Sequence, residues 1–255
     1  SWWKLDGLTL TIRKLVKRLE QEKGVRFRIY TTEASAPPQA DRDETEKHIV
    51  YVKSLPVPFW EASQGYQICR GLSKSIWKDI ESFDPNVVHI TVPDLLARDV
   101  VRRIARRRFE TKRRRAVVLA TYHSNYPDYM YYIMPYFPAC FVCWCLREYL
   151  IELYSRVDAV FVPTPSVRNK IIHEGFYVRS KQSNASRGIR VWSRSVDRSL
   201  FNRNGQRTSE HFRRLWGVAR EAVVVLWVGR VVKEKGTNIY MEVIERLARE
   251  CNVVG

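Results

Sequence analysis

Apolar residues recur along this chain with two different spacings. Between Leu8 and Leu19 they fall three or four positions apart, which is typical of a helix with one apolar face. The nearly continuous apolar run Val87–Val92 instead predicts a strand that is buried on both faces, as in a parallel sheet. The patterns predict strands over residues 25–32, 48–55, 87–92, 116–121, 159–162, 189–192 and 223–228, and helices over residues 8–24, 72–82, 94–107, 166–174 and 211–218, before residue 154 and after residue 236.

The alternation of strands and helices predicts a parallel, doubly wound α/β sheet. The polar stretch 201–209 predicts a linker between a first domain over residues 1–200 and the start of a second α/β domain over residues 210–255. In a doubly wound sheet the first strand is central, and it should precede the turn at Asp6 and Gly7. Because only five residues stand before that turn, we expect the first strand to be missing and the chain to be a fragment.

A cationic turn follows the predicted buried strand Val223–Val228. After Gly229 the turn carries three cations, which are Arg230, Lys233 and Lys235. A helix is predicted to open at Gly236, so these cations stand beside the positive end of a helix dipole and are offset only by Glu234. A diphosphate fits such a place well. The alternative is an ordinary turn between strand and helix with solvated basic residues.

Two further residues follow the ends of predicted parallel strands, where open α/β sheets bind ligands. His123 comes just after strand 116–121, and its imidazole can hydrogen-bond a sugar hydroxyl or a leaving phosphate. Arg194 comes after strand 189–192 and can reach an anionic ligand in the same crevice. A loop histidine with a backbone partner is the alternative for His123, and helix capping is the simpler role for Asp197.

The net charge of +17 points to a polyanionic partner. Residues 98–115 hold ten Lys and Arg against two acidic residues. Like charges stacked along a helix favour contact with acidic lipid headgroups, and a solvated helix face is the alternative. Nucleic acid fits less well because the run matches no groove-reading motif. The basic residues of the predicted membrane or acceptor surface are Arg102, Arg103, Arg106 and Arg107.

Residues 129–146 form an uncharged run of 18 residues. Pro135 and Pro138 interrupt it, so an interfacial or core segment is favoured over a membrane span, with aromatics such as Tyr129 and Trp144 on or near a membrane surface. Its cysteines lack a second cysteine or histidine pair, and no metal site is expected. Five cysteines in all, without regular pairing, and no signal peptide favour an intracellular, reducing location.

The sequence has no Walker loop, no G-x-G-x-x-G, no H-E-x-x-H and no G-x-S-x-G motif, which leaves P-loop NTPases, metalloproteases and common hydrolases unsupported. Six segments in chain order instead resemble motifs of family 4 glycosyltransferases of GT-B fold. They echo most nearly the lipid-directed members that are similar to sulfoquinovosyl- and α-mannosyltransferases. The segments are Trp3–Leu8, Pro85–His89, Thr121–Tyr126, Ala159–Ser166, Trp192–Asp197 and Val228–Gly236.

The resemblance implies two Rossmann-like domains, of which residues 1–200 are the acceptor-side domain and residues 210–255 begin the nucleotide-sugar-binding domain. It implies a retaining transfer of a hexose-type sugar from a nucleoside diphosphate to a lipid, without a metal or other cofactor. By position, Arg230 and Lys235 would clamp the donor diphosphate and His123 would touch the transferred sugar. The other implied donor-binding residues are Gly7, Gly229 and Arg194.

Two departures and several alternatives accompany this resemblance. Ser195 replaces a glycine of the family motif, and the Glu-x7-Glu donor motif would lie beyond Gly255. We therefore expect the fragment alone to be inactive. We expect the whole protein to be a peripheral membrane protein on a cytoplasmic face, with a plastid location also open. The rival interpretation is a basic α/β module that binds nucleic acid or anionic membrane without catalysis.

Overall fold

The computed structural model describes residues 7–32, 47–56, 67–110, 116–128, 138–177, 188–193, 206–229, 231 and 235–251. The chain divides into two compact units, Ser1–Arg194 and Ser195–Gly255. The helices are α1 Gly7–Glu20, α2 Lys74–Phe83, α3 Leu95–Glu110, α4 Pro138–Ser155, α5 Pro165–His173, α6 Gln206–Leu215 and α7 Thr237–Cys251. The strands are β1 Ile29–Thr32, β2 Ile49–Val52, β3 Ser54–Pro56, β4 Gln67–Cys69, β5 Val87–Ile90, β6 Val117–Thr121, β7 Ala159–Val162 and β8 Ile189–Val191.

A four-stranded parallel sheet organises the first unit, in the order β5-β6-β7-β8. Helices α3, α4 and α5 connect or follow these strands, so the predicted parallel α/β architecture is confirmed. All four strands lie within the predicted ranges. One detail was wrong, because Val87 is 54% exposed and Val92 is 37% exposed, whereas the run Val87–Val92 predicts burial on both faces. Val87 stands at the amino end of β5, and Val92 lies beyond its last residue.

Alternate residues of the parallel strands point into one hydrophobic core, because side chains alternate between the faces of a strand. Leu150, Leu153 and Tyr154 of α4 are almost completely buried against this face. Val101 of α3 and Ile171 of α5 complete the helical layer. The strand residues of this core are Ile90, Val118, Ala120, Val160, Val162 and Ile189.

The remaining strands of the first unit form two small ladders. β1 pairs parallel with β2, and β3 pairs antiparallel with β4. A second core, which includes Trp77, Leu96 and Val100, packs α2 and α3 against β2 and β4. The prediction of one strand over residues 48–55 was wrong, because the segment breaks after β2 and continues as β3. Separately, the apolar pattern did not reveal β4.

Local capping explains where two helices begin and end. The hydroxyl of Ser73 accepts a hydrogen bond from the backbone N–H of Ile76 at the start of α2. Asp84 ends the same helix in the left-handed conformation, with φ of 47°. Thr164 caps α5 in the same way through the N–H of Val167, and Pro165 occupies the first helical position.

The second unit differs from its prediction in two places. Helix α6 begins at Gln206, inside the stretch 201–209 that the sequence analysis assigns to a linker. Residues 223–228 form no strand and are not buried, since Val223 and Val228 are each 84% exposed. A strand needs a neighbouring backbone to pair with, and no other strand occurs among the described residues of this unit. Helix α7 follows the cationic turn as predicted.

Candidate active site

The loops that follow the four parallel strands meet at one edge of the sheet, because the carboxyl ends of parallel strands lie side by side. Thr91–Asp94 follows β5, Tyr122–Asn125 follows β6, and Thr164 lies two residues beyond β7. Trp192 follows β8, and its N–H donates to the carbonyl of Val162 over 2.7 Å. This carboxyl edge therefore collects the polar side chains that a ligand of this sheet would meet.

His123 stands on the loop after β6, at the place that the sequence predicts. Contacts with the core and with α5 hold this loop in place. Tyr122 is buried in the core, and its hydroxyl donates to the amide oxygen of Asn125 over 3.0 Å. Asn125 in turn donates to Asp128, which also accepts from the ammonium of Lys170 on α5 over 2.6 Å. His123 is half-buried on this fixed loop, with its Nε2 atom shielded from solvent.

A second histidine, which the sequence analysis did not single out as a site residue, lies in the sheet beneath this edge. The Nε2 atom of His89 is 2.7 Å from the hydroxyl oxygen of Thr121, the last residue of β6. Its ring lies 6.2 Å from that of Trp192, which in turn packs edge-on against Phe161. Burial lowers the pKa of His89, so the imidazole is held neutral. A histidine inside an otherwise apolar strand was the available signal.

The loop after β5 is fixed by a buried carboxylate and a tyrosine. Asp94 accepts hydrogen bonds from the N–H groups of Ala97, at 2.9 Å, and Cys69, at 3.3 Å. Burial raises the pKa of Asp94, and these hydrogen bonds oppose that rise. The hydroxyl of Tyr149 on α4 donates to the carbonyls of Pro93 and Asp94, and burial raises the pKa of Tyr149 to about 12. Tyr149 therefore remains a hydrogen-bond donor at neutral pH.

The described part of the cationic turn contains Gly229 and Lys235. A side chain on Gly229 would begin 3.3 Å from the ring of Trp227, so this position favours glycine. Trp227 packs on Tyr240 of α7, with ring centres 6.1 Å apart, and the Tyr240 hydroxyl donates to the carbonyl of Val225. These contacts hold the segment against the helix. Lys235 is exposed and precedes the first turn of α7.

Several predicted site residues lie outside the described residues. They are Arg230, Lys233 and Glu234 of the cationic turn, Arg194, Ser195 and Asp197 after β8, and Tyr129. Gly7 is described and is the first residue of α1. Its carbonyl oxygen accepts a hydrogen bond from the hydroxyl of Thr11 over 2.7 Å.

Comparison with protein families decides the identity of the first unit. The model of glycosyltransferase family 4 matches residues 5–200, which include the parallel sheet and the loop that carries His123. The chain belongs to glycosyltransferase family 4. The predicted resemblance to family 4 is thereby confirmed at the level of the family, and the family implies a nucleotide-sugar donor and an acceptor. No curated protein matches the chain.

The predicted basic surface of this family 4 glycosyltransferase divides between two environments. The guanidinium of Arg103 stacks over the ring of Trp77 on α2, at 4.8 Å from its centre. Arg102 instead pairs with Glu152 on α4 over 3.3 Å. Arg106 lines the same cavity as Arg102, and the side chain of Arg107 lies outside the described part. Of the three described arginines, Arg103 therefore packs on α2, whereas Arg102 and Arg106 line the cavity.

Exposed aromatic residues occupy the first turns of α4 in this glycosyltransferase. Phe141 is 64% exposed and Trp144 is 54% exposed, with ring centres 6.1 Å apart. Cys143 between them is buried, and its thiol donates to the carbonyl of Pro127 over 3.1 Å, which places this end of α4 beside the loop after β6. Among the helices that the structure describes, none combines the length and apolar character needed to cross a bilayer.

Proposed function

We propose that this family 4 glycosyltransferase transfers a hexose-type sugar from a nucleoside diphosphate to a lipid acceptor, with retention of the anomeric configuration. The observation that carries the proposal is the position of His123. It stands on a loop fixed to both the core and α5, at the carboxyl edge of the parallel sheet within the region that matches the family. Ligands of open α/β sheets bind at this edge.

Arg230 and Lys235 are the proposed donor-binding residues of the second unit. Their charges would offset the negative charge that develops on the leaving diphosphate, which is electrostatic catalysis without a metal. The exposed position of Lys235 before α7 supports this role, because anions bind favourably at helix amino termini. A Cβ at position 229 would lie 3.3 Å from the ring of Trp227, which favours glycine just before Arg230. Gly7 and Arg194 are proposed to contact the donor as well.

His123 is proposed to hydrogen-bond the transferred sugar. A neutral imidazole can donate through one nitrogen and accept through the other, so it can orient a sugar hydroxyl in both roles. Its hydrogen-bonded loop limits the movement of the imidazole, and fixed orientation of a reacting group lowers the barrier to reaction. In this proposal no carboxylate acts as a nucleophile.

The lipid acceptor is supported by the exposed aromatic pair Phe141 and Trp144. The pair lies on the end of α4 that contacts the loop carrying His123. Aromatic side chains with an exposed apolar face are favoured at the boundary between headgroups and acyl chains. A membrane reached through these residues would present its lipids near the carboxyl edge. In this proposal the protein binds a cytoplasmic membrane face peripherally.

Radiolabelled nucleotide sugars test the proposal when they are incubated with the full-length protein and lipid vesicles. We expect label in the organic extract, and we expect His123→Ala to reduce it strongly. The variant Lys14→Ala, at an exposed position of α1, serves as the control for a folded protein with full activity. Transfer of label to a soluble acceptor alone would contradict the lipid acceptor and leave the transferase activity standing.

A non-catalytic, anion-binding module is the second candidate, and the net charge of +17 is the observation that favours it. Such a module would bind nucleic acid or anionic membrane with strong salt dependence and without affinity for nucleoside diphosphates. Titration of the full-length protein with UDP and GDP separates the two candidates. Binding of either nucleotide favours the transferase.

A further inference from the structure

An arginine-lined cavity lies on the opposite side of the first unit from His123. It has a volume of about 270 Å³, and its lining residues are Arg102, Ala105, Arg106 and Arg156. Arg156 follows the last residue of α4 and lies close in sequence to Asp158. The side chain and backbone of Asp158 bond to Val118 at the start of β6. The cavity therefore belongs to the amino edge of the parallel sheet, whereas His123 belongs to its carboxyl edge.

The charges around this cavity are unbalanced. Glu152 accepts hydrogen bonds from both Arg102, at 3.3 Å, and Arg156, at 2.6 Å. Among the side chains that the structure describes, which leave out those of residues 107–110, no carboxylate forms an ion pair with Arg106. Arg102 and Arg156 thus share Glu152 beside a third guanidinium, that of Arg106, and an entering anion relieves the repulsion among the three. Glu152 also limits the movement of Arg102 and Arg156, which lowers the entropy that an arriving ligand must overcome.

We propose that this cavity binds a phosphate group. A guanidinium presents parallel N–H donors that match two phosphate oxygens, and this fit makes arginine better suited to phosphate than a point charge. The proposal deepens the proposed function, because it rests on a protein that works at a lipid surface and supplies a second contact with that surface. It assigns no role to the cavity in the transfer step.

The headgroup of an anionic phospholipid is the phosphate source that the surrounding surface favours. Trp144 and Glu152 are eight positions apart on α4, so they share one helix face and are separated by about 12 Å along the axis. Trp144 is exposed at one end of this face, and Glu152 orients the arginines at the other. A single membrane plane along α4 can therefore meet both the aromatic pair and the arginines. A free phosphorylated molecule would satisfy the same chemistry.

The test compares Arg106→Gln with Arg18→Gln in the full-length protein without sugar nucleotide. Arg18 lies on α1 with an exposed side chain, so its substitution removes the same charge elsewhere. One arm measures binding of inorganic phosphate by calorimetry. The other measures sedimentation with phosphatidylcholine vesicles that contain or lack phosphatidylglycerol. Circular dichroism and thermal melting verify that each variant is folded.

We expect Arg106→Gln to weaken binding about five- to tenfold in at least one arm, while Arg18→Gln changes it less than about twofold. If Arg106→Gln weakens binding only to phosphatidylglycerol vesicles, the cavity binds a lipid headgroup. If it weakens binding only of inorganic phosphate, the cavity binds a free phosphate. Weaker binding in both arms identifies a site that accepts either. Equal behaviour of the two variants in both arms would overturn the proposal. Because neither arm uses a sugar donor, failure of sugar transfer leaves this result intact.

Discussion

His89 and Thr121 join β5 to β6 through a contact of 2.7 Å between the imidazole Nε2 and the hydroxyl oxygen. Thr121 is the last residue of β6, and His123 follows it by two positions. The contact therefore fixes the point from which the loop with His123 departs. Trp192 lies beside His89 and brings the end of β8 into the same arrangement.

The buried imidazole makes stability depend on pH. Burial lowers the pKa of His89 in the folded chain below the ordinary histidine value of 6.5. As the pH falls through that value, His89 therefore takes up a proton in the unfolded chain before it does so in the folded chain. Folding stability should therefore fall on acidification through this range. His89→Gln should reduce the slope of the free energy of unfolding against pH by up to about 1.4 kcal/mol per pH unit.

Urea denaturation at a series of pH values between about 7 and 5 measures this effect. The control is His173→Gln, which changes an exposed histidine at the end of α5. Its stability should follow that of the wild-type chain across the series. A His89→Gln profile with the same slope as wild type would show that protonation of His89 does not contribute.

The cap of α5 offers a second test of the carboxyl edge. Thr164→Val removes the oxygen that accepts from the N–H of Val167, and we expect a loss of about 1 kcal/mol in the free energy of unfolding. Thr164→Ser retains the oxygen and should keep most of the stability. Chemical denaturation of both variants checks the prediction. If Thr164→Val is as stable as Thr164→Ser, solvent replaces the cap at no cost in free energy.

The sequence predicted the first unit well where local signals agree. The apolar strands β5 to β8 were visible because burial gives each of them a short run of apolar residues. β4 was missed because three residues carry too little periodicity to distinguish a strand from a loop. Residues 223–228 were misassigned because their hydrophobicity says nothing about which backbone would pair with them.

The candidate site was only partly predictable, for a related reason. His123 could be placed because the end of a predicted strand defines its position. The role of His89 could not be predicted without knowing that Thr121 lies beside it on the neighbouring strand β6. Arg103 was assigned to the same predicted membrane or acceptor surface as Arg102, yet it stacks on Trp77. Contacts between distant elements decide such roles, and spacing along the helix alone does not reveal them.

The aromatic pair on α4 should support binding to membranes independently of charge. In the double variant Phe141→Ser and Trp144→Ser, we expect affinity for neutral phosphatidylcholine vesicles to fall about tenfold or more, since each ring loses apolar burial. Trp216→Ser is the control, because this residue is 69% exposed in the second unit. Vesicle sedimentation measures the difference. Unchanged binding by the double variant would remove α4 from the membrane contact.

Removal of either proposed diphosphate ligand should slow transfer far more than it alters stability. We expect Arg230→Ala and Lys235→Ala each to lower the transfer rate about 10²–10³-fold in the full-length protein, because each removes charge that stabilises the leaving group. Lys14→Ala, with its exposed lysine on α1, should retain the wild-type rate. Steady-state kinetics with a saturating donor measure the loss. Rates near that of wild type would exclude both residues from the mechanism.

Sugar transfer is followed most directly when a radiolabelled sugar and its nucleoside diphosphate are traced in one reaction. The full-length protein is incubated with labelled nucleotide sugars and lipid vesicles. We expect labelled lipid and free nucleoside diphosphate to appear in equal amounts, and both to fall strongly in His123→Ala and Lys235→Ala. If the folded wild-type protein releases no nucleoside diphosphate and labels no acceptor with any nucleotide sugar, the protein is not the proposed transferase.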